Sequence, residues 1–151
     1  MKQFVRSAVI LACAVGLAAA HAPAAANPWT VVVTGGPYAG TYQARANEVI
    51  CFHAKAQKTY AATFRDFRAN TPRSLAEGGI MVSNPDVAGP KKGDLHVAFG
   101  TDDKRSIVYD VTGVPITMTL KGNGADLSGT GKTKEGVSLH ITANCAETDT
   151  M

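Results

Sequence analysis

The chain has 151 residues, with 15 Lys and Arg against 12 Asp and Glu for a formal charge of +3, and 45% of its residues are hydrophobic. Charges of both signs are interspersed, so the electrostatic footprint of a nucleic-acid binder is missing, and no run of cations forms a polybasic membrane patch. A chain of this length suits one domain, with no surface to spare for a second core.

The first segment reads as a secretory signal. Lys2 and Arg6 precede an apolar run from Ser7 to Ala20, and small residues follow up to Ala24, Ala25 and Ala26, the charged, apolar and small-residue order of a signal peptide. The run is roughly 14 residues long, short of the ~20 that a spanning helix needs. Cys13 is preceded by Leu11 and followed by more apolar sequence, which is a poor fit to a lipidation site. Cleavage after residue 26 would leave a single domain, 27–151, carrying 13 basic and 12 acidic residues for a formal +1. The expectation is an exported protein, periplasmic or secreted, with no stable membrane insertion and no nucleic-acid partner.

Cys13 leaves with the signal. In an oxidising compartment Cys51 and Cys145 then have one possible intramolecular pairing. Such a bridge closes nearly the whole domain, for which the chain-entropy account gives ~4 to 5 kcal/mol.

From Trp29 onward, short β-type runs alternate with turn residues, and no long stretch has helical periodicity. Trp29–Thr34 stops at Gly35-Gly36-Pro37, and a second run starts at Gly40. Glu48–Ala54 puts Val49, Cys51 and His53 on one face and Ile50 and Phe52 on the other. Thr59–Phe67 alternates next. Residues 68–79 are polar, with one helical turn suggested at Ser74–Glu77, and Ile80–Val82 reads as a short strand. A loop is expected at 84–94, placing Lys91 and Lys92 in a turn.

Alternation resumes with Leu95, Val97 and Phe99, leaving His96 on the opposite face. Strands follow at 106–111, 116–121 and 127–133. In the last strand Val137, Leu139, Ile141, Ala143 and Cys145 share one face. With nine or ten strands, the predicted fold is all-β: an antiparallel β-sandwich, or alternatively a partly closed β-barrel, with one disulfide. The order of features, an early strand cysteine, many Gly-punctuated strands and a cysteine ending the last one, is similar in outline to the small secreted lipoprotein antigens of mycobacteria. That resemblance lies in the arrangement, not in a motif, and implies a fold alone.

Motifs for chemistry are sparse. No Gly-x-Ser-x-Gly elbow is present, and Gly122-Asn123-Gly124 precedes a strand pattern instead of a phosphate-binding helix. Asp102-Asp103 reads as a solvated loop tip, so no catalytic residue and no cofactor is assigned. His53, His96 and His140, with Met81 and Met118, are the soft and borderline ligands that copper handling would use, but none has a second ligand at a characteristic spacing. His53 shares the apolar face of Val49 and Cys51, where a hydrogen-bonded structural role is the plainer reading.

Tyr60, Phe64, Phe67, Lys91 and Lys92 are candidates for a binding surface, because Phe64 and Phe67 cannot both point inward on one regular strand. The leading expectation is a non-enzymatic binding module for a protein, envelope component or small ligand, acting through loops 68–79 and 84–94 and exposed aromatics. A periplasmic copper-type protein using His and Met ligands and an enzyme with a dispersed active site are the alternatives.

Overall fold

The architecture follows from the alternation just described. In the computed structural model, which describes residues 27–44 and 48–150, the strands are β1 (Trp29–Thr34), β2 (Gly40–Gln43), β3 (Val49–Ala54), β4 (Thr59–Arg65) and β5 (Asn70–Ser83), followed by β6 (Lys91–Thr101), β7 (Arg105–Lys121), β8 (Gly124–Lys132), β9 (Ser138–Cys145) and β10 (Asp149–Thr150). The expected signal peptide, 1–26, lies outside the described residues. All ten strands join one sheet in the order β10-β3-β4-β5-β6-β7-β8-β9-β1-β2. Every pairing is antiparallel except the short contact of β10 with β3.

The all-β fold and the Cys51–Cys145 bridge are both present, and the layering is that of the partly closed barrel. The hydrogen-bonded ladder is unbroken, so there are not two stacked sheets but one sheet curled into a half-barrel. Alternation fills its concave side. Val31, Val33, Leu95, Val97, Phe99, Leu139 and Ile141 are all buried there with Trp29. Burying such side chains stabilises the fold by roughly 1.5–3 kcal/mol each.

Curling brings β3 against the end of β9, although five strands lie between them along the sheet. Cys51 and Cys145 meet there with their Cα atoms 5.9 Å apart. The seam is also tied by Asn27, whose Nδ2 donates to the Val49 carbonyl while its Oδ1 accepts from the Ala146 amide.

Three elements differ from the sequence-based expectation. Residues 70–83 form one strand, with neither a helical turn at 74–77 nor a separate loop at 68–79. β-Bulges near Leu75 let β5 bend as it pairs with β6, and such bulges increase local twist. Likewise 106–111 and 116–121 belong to one strand, β7. Thr112 and Gly113 there oppose Asp94 alone, with Gly113 at φ +68° and its amide donating to Asp94 Oδ1 at 2.9 Å. The loop expected at 84–94 is shorter, because β6 begins at Lys91.

Candidate functional site

The strands' turns fall into two groups at opposite ends of the half-barrel. One end is closed by aromatics. Tyr38 stacks on Phe99 with centroids 4.7 Å apart, and Tyr42 meets the same ring edge-on. Tyr109 completes the cluster. Tyr38 Oη donates to the Pro72 carbonyl, and Arg73 donates to that of Pro37 while lying over the Tyr38 ring. The β1–β2 connection is thereby fastened across β5.

The other end keeps a mouth. A cleft of about 520 Å³ opens between the end of β3, the start of β4, the β7–β8 turn and residues 147–150. Its inner wall is His53 and Tyr60, which register places opposite each other, with rings tilted at 5.9 Å. Tyr60 Oη shares a 2.6 Å hydrogen bond with Thr148 Oγ1. Burial pushes the Tyr60 phenol above its usual range, and the bond to Thr148 acts in the opposite direction. Leu120 and Asn123 form the rim facing them, with Glu147 and Asp149 on the C-terminal segment. Leu120 is 68% exposed at this rim.

The three histidines have different surroundings. His53 Nε2 is 3.2 Å from Asp86 Oδ2 of the β5–β6 turn, at an angle that makes no hydrogen bond. His96 lies on the outer face, where Nδ1 is 2.6 Å from Asp110 Oδ1 and Nε2 is 3.2 Å from Glu77 Oε1. Arg105 donates to the other Glu77 oxygen at 2.6 Å. That hydrogen bond is the main cause holding the Glu77 carboxyl below its ordinary range, with His96 adding to it and partial burial opposing. His140 Nδ1 is 2.7 Å from Thr130 Oγ1.

His53, His96 and His140 stand on β3, β6 and β9, each three strands from the next. Three interstrand steps amount to roughly 14 Å along the sheet. Met81 is on the outer face of β5, while Met118 packs against the core from β7. Among the described residues no group of three or more His, Cys, Asp or Glu side chains is arranged to hold a metal ion.

The binding candidates also separate. Phe64 is core, meeting Trp29 edge-on at 4.6 Å. Tyr60 is almost wholly buried yet borders the mouth. Phe67 is 69% exposed on the β4–β5 turn, with the Arg65 guanidinium 5.1 Å above its ring. Lys91 donates to the Val87 carbonyl, and Lys92 borders a recess of about 450 Å³ beside the β5–β6 turn. Sequence reasoning missed Leu120, Asn123 and residues 147–150. His53, Tyr60 and the Gly122-Asn123-Gly124 turn were the features of that neighbourhood visible in the sequence.

Among the described residues no helix is long and apolar enough to cross a membrane. No protein-family model, curated protein or solved structure matches the chain.

Proposed function

We propose that this is an exported, disulfide-stapled binding module, without enzymatic activity, that takes its ligand or partner at the mouth of the half-barrel. The observation carrying this reading is the asymmetry of the two ends. One is sealed by packed aromatics, whereas the other holds a polar cleft beside an exposed leucine. Clefts with an apolar contact and a few convergent polar groups are where small ligands and partner side chains are held.

The surroundings of the histidines support a non-catalytic role. Neither nitrogen of His96 is free, because carboxylates on both neighbouring strands occupy them. The disulfide is compatible with the oxidising compartment that the signal-like N-terminus implies. Metal handling has less support, since the His and Met candidates are dispersed over the sheet.

The test is affinity capture from the protein's native surroundings, comparing the parent with L120R/N123R at the mouth and with F67S at the sealed end. Loss of every captured ligand in L120R/N123R alone is expected. Equal capture by that variant and the parent would remove the mouth from consideration.

A further inference from the structure

The β7–β8 turn, Gly122-Asn123, stands on the rim of the mouth. Register makes it a two-residue hairpin loop closed by the pair Lys121 and Gly124. Asn123 is exposed, and its side-chain amide has no hydrogen-bond partner among the described residues. Glycine at 124 is a demand of the fold, because a Cβ there would collide with the carbonyl oxygen of Cys145 at the seam that the disulfide ties. The Asn-Gly step is thus fixed by packing on one side and open to water on the other.

Such a step is reactive. Gly124 has no Cβ to shield its amide nitrogen from the Asn123 side chain once the turn opens, and exposed loops open at the lowest free energies of any part of a fold. Solvent base takes the amide proton, the nitrogen bonds to Asn123 Cγ, and the Cγ–Nδ2 bond breaks with release of ammonia. The resulting five-membered succinimide then adds water at one of its two carbonyls. Rupture of the bond to Cγ leaves aspartate, whereas rupture of the bond to the backbone carbonyl carbon leaves isoaspartate, with the chain rerouted through Cβ. The net change is one water consumed and one ammonia lost.

The other described asparagines lack this combination. Asn27 and Asn84 precede prolines, which have no amide proton to give up. Asn144 is bound to Asp126 from within β9, and Asn70 precedes Thr71, whose branched Cβ crowds the attacking nitrogen.

We propose that Asn123 is a self-modifying site, where deamidation places a carboxylate on the rim of the mouth as the protein ages. The cleft lining sets Lys55 against Glu147 and Asp149, so a third carboxylate makes it more anionic. The modified mouth should hold cationic partners more tightly and anionic ones more weakly. This effect on binding rests on the mouth being the binding site, whereas the modification itself does not.

The test incubates the oxidised, folded protein at neutral and at mildly alkaline pH and follows its tryptic fragments by mass. Fragment 122–132 holds Asn123 and no other asparagine. It should gain the mass of an amide-to-acid conversion before the fragments holding residues 70, 84 and 144, faster at the higher pH, and become a substrate for an isoaspartyl methyltransferase. Asn123→Gln, which cannot close the five-membered ring, should lose both signals at an unchanged Tm. Earlier conversion at another described asparagine would overturn the proposal. So would methyl acceptance that persists in Asn123→Gln, or a fragment 122–132 left unchanged in the folded protein over the time in which the urea-unfolded chain converts. Capture by Asn123→Asp identical to that by the parent would overturn the effect on the mouth.

Discussion

Gly78 is where two aromatic rings approach the backbone of β5. A Cβ there would lie 2.8 Å from Trp29 Cη2 and 2.9 Å from Phe64 Cε1, and neither ring has free space because both are buried. Gly78→Ala should therefore destabilise the protein by ~1–3 kcal/mol through overpacking, read as a lower urea midpoint at unchanged slope. Glu77, one residue away, has a pH signature instead. Its folded-state carboxyl titrates below the ordinary value, chiefly through Arg105, so its contribution is present above the unfolded value of about 4.3. That contribution is lost as pH falls through the folded value. Glu77→Gln should thus be less stable than the parent near neutrality, with the gap closing on acidification. Urea titrations across that range would check it.

At the scale of elements, the long strand β7 depends on its bulge. Asp94 supplies the acceptor for the Gly113 amide, and Gly113 supplies the positive φ. Asp94→Ala should cost ~0.5–1.5 kcal/mol and speed amide exchange locally around 111–114, leaving β9 protected. The same bulge explains why 105–121 reads as two strands from sequence: Gly113 and Pro115 are turn residues, and nothing local shows that pairing continues through them. β5 was obscured in a related way, since its polar first half is exposed and its two central glycines lack side chains to alternate. Where a strand keeps one apolar face, as β9 does from Leu139 to Cys145, sequence and structure agree residue by residue. The inward placement of His53 was legible for the same reason. The mouth was not, because it unites residues 53, 60, 120 and 147–150, which only the curl of the sheet brings together.

For the whole molecule, the sheet's two ends are joined at the seam by Cys51–Cys145, and nonlocal cross-links of this span restrict the unfolded chain most. C51S/C145S should lose ~2–5 kcal/mol, seen as a lower thermal midpoint that reductant reproduces in the parent but cannot deepen in the variant. A further consequence concerns load. The bridge spans a sequence separation of 94, so a pull applied between residues 27 and 150 passes through a covalent shortcut. Only the flanking segments 27–50 and 146–150 can be drawn out, a gain of ~100 Å of contour, while β4 to β8 carry no tension. Under such a load the protein would lose its N-terminal hairpin and C-terminal strap first and keep the centre of its sheet until the sulfur–sulfur bond is broken.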